Sequence, residues 1–108
     1  MNEILKRAKE LESEIIANRR YLHQNPEIRD DLPNTTRFVM EKLTEMGYEP
    51  KEICKGGIVA TVGNPGKVFL LRGDMDALPM EEDTDLEFRS CNGYAHSCGH
   101  DTHTAMLL

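Results

Sequence analysis

The sequence has 108 residues, with 13 basic against 19 acidic side chains and a net charge of -6. That length allows one domain at most, with a modest core. Hydrophobic content of 39% and charged content of 30% exclude a disordered chain, and no basic cluster is denser than Arg19-Arg20, so nucleic acid has no electrostatic footprint here.

The first sixteen residues are charged and helical in pattern. They lack the continuous apolar stretch of a secretory signal, and no later run approaches a membrane span. Cys54, Cys91 and Cys98 cannot pair off evenly, and they read as reduced thiols of a cytoplasmic protein.

Ile4, Leu5, Ala8, Leu11, Ile15, Ile16 and Leu22 recur at three- and four-residue steps. That spacing predicts one amphipathic helix. It should end near His23-Gln24-Asn25, because Pro26 disfavours helix at the residue before it. Residues 26–33 read as a loop. Asn34 or Thr35 then caps a second helix with apolar positions Phe38, Val39, Leu43 and Met46, closed by Gly47.

Beyond Gly47 the pattern turns to strands. A short one is expected over Glu49 to Ile53. Ile58 to Val62 is rich in β-branched residues and predicts another, and Gly63-Asn64-Pro65-Gly66 is a tight turn. Val68-Phe69-Leu70-Leu71 is a continuous apolar run, expected to form a strand buried on both faces. Helices followed by such strands predict an α/β layered domain. The chain stops at His103-Thr104-Ala105-Met106-Leu107-Leu108, an apolar run with the character of the first turns of a further helix. Such a helix needs elements to pack on, so the sequence is expected to be truncated.

Chemistry concentrates at two places. Asp74 and Asp76 stand just past the apolar run, the edge that ligand-binding groups favour in open α/β sheets. They are two residues apart, so in extended backbone they share a face. A solvated acidic loop with Glu81, Glu82, Asp83 and Asp85 is the plainer reading of the same residues. The second place is His96-Ser97-Cys98-Gly99-His100-Asp101-Thr102-His103. In extended backbone, positions 96, 98 and 100 share one face. Thiolate and imidazole suit zinc, and imidazole also suits nickel and cobalt. Asp101 has two available roles, holding a ligating imidazole by its second nitrogen or capping the helix that begins here. The alternatives are a buried structural thiol at Cys98 and a closed zinc site made of His96, Cys98, His100 and His103.

Three segments carry a resemblance. Arg19-Arg20-Tyr21-Leu22-His23-Gln24-Asn25-Pro26-Glu27, Leu71-Arg72-Gly73-Asp74-Met75-Asp76-Ala77-Leu78-Pro79 and His96-Ser97-Cys98-Gly99-His100-Asp101-Thr102-His103-Thr104-Ala105 resemble, in order, three elements of the M20 metallopeptidase superfamily. The resemblance is to its amidohydrolase branch, which includes hippurate hydrolases, auxin-conjugate hydrolases and N-acetyl-diaminopimelate deacetylases. Gly73 and Ser97 stand where the family more often has Ala, and Tyr94-Ala95 precedes the last element where Met is more usual.

The resemblance implies that residues 1–108 are the N-terminal portion of a zinc-exopeptidase-like catalytic domain, without the lid or dimerisation domain. It implies a site for two divalent ions (zinc, manganese, nickel or cobalt), with Cys98 and His100 as metal ligands. Asp76 orients a ligand, and Asp74, Asp101 and His103 support the site. His23 has no chemical role in this reading and counts as structural. The implied reaction is hydrolysis of N-acyl amino acids, with a base that is a Glu later in the chain, so the 108 residues alone are expected to be inactive. The implied partner is the small-molecule substrate, with neither nucleic acid nor membrane, and full-length relatives are implied to be homo-oligomers. The alternatives from other classes are a non-catalytic metal-binding or partner-binding remnant and a small structural zinc domain.

Overall fold

A computed structural model describes residues 2–108. The order of elements is α1 (Glu3–Glu10), α2 (Glu12–Gln24), α3 (Pro33–Glu45), β1 (Lys51–Cys54), β2 (Gly57–Val59) and α4 (His100–Leu107). In this mixed α/β arrangement α2 packs against α4, the helix that begins in the histidine-rich motif.

The expected first helix is interrupted. Leu11, at φ -87° and ψ -4°, ends α1 and precedes α2. The Asn2 side chain accepts from the Leu5 N–H at 2.8 Å and caps α1. No residue of α1 is buried, whereas α2 buries Asn18, Leu22 and His23. Packing therefore holds α2 in place and leaves α1 without a tertiary anchor, so the periodicity that joins them has nothing to enforce continuity.

α2 ends at Gln24, two residues before Pro26 as expected. α3 begins at Pro33, earlier than the expected cap at Asn34 or Thr35. Proline at the first helical position gives up only an N–H that would be unpaired anyway. The capping is done from outside the helix: the Glu27 carboxylate accepts from the Asn34 N–H at 3.2 Å and from the Thr35 N–H at 2.6 Å. A carboxylate there also meets the positive end of the helix dipole. Tyr21 stacks on Phe38 with centroids 4.2 Å apart, which joins α2 to α3. Gly47, at φ +92°, takes the left-handed position that closes α3.

β1 and β2 form an antiparallel hairpin, with Lys51 opposite Val59 and Glu52 opposite Ile58. The second strand ends at Val59, short of the expected Val62. The apolar run Val68–Leu71 departs most from expectation. It is not a buried strand: its four side chains are 77–87% exposed, and among the described residues no strand pairs with it. An apolar run records a need for cover on both faces, and none of the described elements supplies that cover.

The core is small and lies where α2 meets α4 and the loops between them. Its buried apolar residues are Leu22, Leu32, Val39, Ala77, Ala95 and Ala105. No described helix is long and apolar enough to cross a membrane.

Candidate metal centre

The acidic loop and the histidine-rich segment are stitched together by backbone. The Ala77 N–H donates to the Glu27 carbonyl at 2.7 Å, and Leu78 and Ala95 exchange both of their backbone hydrogen bonds at 2.9 and 3.0 Å. The loop is thereby fixed between the chain leaving α2 and the chain approaching α4. The Thr104 hydroxyl donates to the Asp74 carbonyl at 2.7 Å, which ties the loop to α4 itself. The approach is close at Gly73, where a Cβ would sit 3.2 Å from the His103 carbonyl oxygen.

His100 is the first residue of α4. Gly99 precedes it at φ +89°, a left-handed conformation that costs L side chains energy and glycine little. This turn breaks the expected common face of residues 96, 98 and 100: His96 is buried, Cys98 is exposed, and His100 is half-buried. The His100 Nδ1 lies 2.9 Å from the Asp76 carbonyl oxygen and 3.0 Å from its Oδ1. As an N–H, Nδ1 donates there and leaves Nε2 as the lone-pair nitrogen. Nε2 lies 3.6 Å from Asp74 Oδ2.

One ligand atom from each of Asp74, His100 and His103 lies within 4.8 Å of the others. The His100 and His103 rings stack with centroids 5.7 Å apart. Two imidazoles and a carboxylate suit a borderline divalent cation, and a ligating histidine tied through its other nitrogen to a carboxylate or carbonyl is the usual supporting arrangement. The residues present therefore fit a divalent metal. Cys98 lies outside this group, exposed on the turn just before Gly99.

His96 is buried with neither ring nitrogen hydrogen-bonded. Burial pushes its pKa down to about 4, against the fields of Asp101 and Asp76, which favour the charged ring, and alongside those of His23 and His100, which oppose it. The imidazole is therefore neutral at physiological pH.

Asp101 supports the first turn of α4, its Oδ1 accepting from the Thr102 N–H at 2.9 Å, and its other oxygen is bonded to α2 rather than to the His100 ring. It is buried, and its Oδ2 accepts from the Arg19 Nε at 2.9 Å and meets the His23 Nδ1 at 2.8 Å, both on α2. The opposite nitrogen of His23 lies 2.8 Å from Glu82 Oε1. Burial pushes the Glu82 carboxyl up, but hydrogen bonds from the Thr84 hydroxyl and the Ser90 N–H, with His23 close by, outweigh it and hold the pKa at about 2. The guanidinium of Arg19 also lies over Phe88, 5.3 Å from its centroid. Sequence reasoning missed this cluster. Arg19 and His23 are four apart on one face of a helix, which is a usable signal, whereas Glu82 is hidden in a run of acidic residues.

Residues 70–108 match the model of peptidase family M20/M25/M40. A crystal structure of a dinuclear metal-binding M20-family peptidase from Bacillus subtilis superposes on 90% of this chain with a TM-score of 0.82 and 35% identity. The chain belongs to the M20 peptidase family. A crystal structure assigned as an aminohydrolase, from methicillin-resistant Staphylococcus aureus, superposes on 99% of it with a TM-score of 0.91 and 40% identity. Among curated M20 relatives, a thermostable carboxypeptidase of Saccharolobus solfataricus is 49% identical over 93% of the chain. An N-acyl-L-amino acid amidohydrolase of Geobacillus stearothermophilus is 43% identical over 98%, and a hippurate hydrolase of Campylobacter jejuni is 44% identical over 92%. The chain spans only 27%, 30% and 27% of these three relatives, and 28% and 30% of the two solved structures.

Proposed function

We propose that the complete protein hydrolyses the amide bond of N-acyl amino acids, and that these 108 residues contribute part of its metal site. The observation that carries the reading is His100, held through Nδ1 by Asp76 with its Nε2 left toward Asp74. The relatives support the substrate class from two sides. A carboxypeptidase and an N-acyl amino acid amidohydrolase both release an amino acid whose nitrogen had been acylated, by a peptide in one case and by a simple acyl group in the other. The shared element is the amino acid with its free carboxylate, so we assign the substrate on that side.

His100 and Cys98 are the proposed metal ligands, with Asp74 and His103 as further donors within reach. Divalent ions, two in the complete site, supply Lewis-acid activation of water and of the scissile carbonyl. Zinc, manganese, nickel and cobalt all suit the donors. Asp76 fixes the tautomer and ring plane of His100. Asp74, in ion-pair contact with Arg72, keeps negative charge beside the donors. The general base is a carboxylate outside these residues, so the 108-residue chain alone does not turn over substrate. The three unpaired cysteines suit a reducing compartment, and we assign the cytoplasm.

The test is chelation of the complete protein, then assay with N-acetyl and N-benzoyl amino acids, a dipeptide, and the same compounds with the carboxylate esterified. The expected result is loss of hydrolysis, its return with one of the four metals, and failure of the esters. Hydrolysis that persists in the chelated protein would overturn the reading.

A further inference from the structure

We infer that His23 is a positioning residue for the metal-bearing end of α4, acting through Asp101. The inference rests on the metal reading of His100 and extends it to α2. Asp101 directly follows His100 and is 1% exposed. Its carboxylate is engaged on both oxygens: Oδ1 accepts from the Thr102 N–H at 2.9 Å, and Oδ2 faces Arg19 and His23. Arg19 and His23 are one helical turn apart, so they present two donors from one face of α2.

His23 is itself held on the far side. Its Nδ1 meets Asp101 and its Nε2 lies beside Glu82, both at 2.8 Å. The ring makes an edge contact with Phe88, centroids 5.5 Å apart. Nδ1 makes the hydrogen bond to Asp101, while Nε2 is close to Glu82 without hydrogen-bond geometry. A buried carboxylate left without its partners is strongly unfavourable, so Asp101 is confined to this position and carries the first turn of α4 with it. Gly99, immediately before, offers no conformational resistance, and the orientation of His100 is therefore set from two sides. Asp76 fixes its ring, and the pair of donors on α2 fixes its backbone.

The test uses the complete protein, stripped of metal and titrated with cobalt(II), whose visible absorption reports coordination geometry. His23→Ala is expected to weaken cobalt binding about tenfold or more, the scale set by loss of an outer partner at a metal site, and to alter the absorption band. His23→Gln keeps a donor and is expected to recover part of the loss. A double-mutant cycle separates positioning from general destabilisation: once His100→Ala is in place, adding His23→Ala should change cobalt affinity little. Wild-type affinity and spectrum in a folded His23→Ala protein would overturn the inference. If His23→Ala does not fold, His23→Gln with an unaltered band and affinity, beside a changed Arg19→Ala, would overturn it equally. Failure of the unaltered protein to bind cobalt would instead remove the metal reading, and this inference with it.

Discussion

The Nδ1 of His100 is shared between the carbonyl oxygen and the carboxylate of Asp76, at 2.9 and 3.0 Å. One residue thus holds the ring from both its backbone and its side chain. The two contributions are separable by substitution. Asp76→Ala removes the carboxylate and keeps the backbone acceptor, and it is expected to weaken zinc or cobalt binding about tenfold or more, with Asp76→Asn, which keeps both acceptors without the charge, losing less. Competition titration against a chromogenic chelator measures both. Equal binding by all three proteins would mean that Asp76 does not support the ligand.

Acid stability should depend on Glu82. Its pKa in the folded protein is about 2, below the ordinary 4.5. A carboxyl lowered on folding contributes stability that is fully present above pH 4.5 and lost as the pH falls toward 2. Urea midpoints of the metal-free protein should fall across that window. Glu82→Gln should begin from a lower midpoint at neutral pH and show a flatter profile between pH 4.5 and 2.

Leu22 is the large apolar side chain of the α2 face, and it is 2% exposed. Leu22→Ala should cost about 2–5 kcal/mol of folding free energy. In so small a core that is a large share of the total. Urea denaturation followed by circular dichroism gives the value, and a loss under 1 kcal/mol would mean that the cavity collapses freely.

The exposed run Val68–Leu71 makes the isolated 108 residues prone to self-association. An uncovered apolar strand is a template for pairing with another copy. Light scattering of the 108-residue chain should fall when Phe69 and Leu70 are both changed to Lys.

Much of the helical framework was legible because it depends on local signals. Pro26 ended α2 and Gly47 ended α3 for reasons that act within a few residues. The sequence puts the cap of α3 two or three positions late, at Asn34 or Thr35 instead of Leu32, because Glu27 caps the helix from seven and eight residues away and leaves no mark there. The apolar run at 68–71 told what surroundings the segment needs, not what provides them. At the site, two short motifs marked Asp74, His100 and His103 as chemistry-bearing, but that these three meet without Cys98 is a property of the fold. The partners of Asp101 carried no such mark, since nothing near residue 101 announces a histidine and an arginine on α2. The turn at Gly99 likewise set Cys98 and His96 in different surroundings, although alternation put them on one face.

The bond between His23 and Asp101 spans 78 residues of sequence. A metal-binding loop of the knuckle kind assembles from neighbours and can form while the rest of the chain is still disordered. Here the helix that presents His100 is held by the second helix of the chain, so the loop between them must close before the donors take their positions. Closing so long a loop is costly in entropy and slow compared with local pairing. Metal capture at His100 is therefore expected to follow closure of that loop, not to precede it.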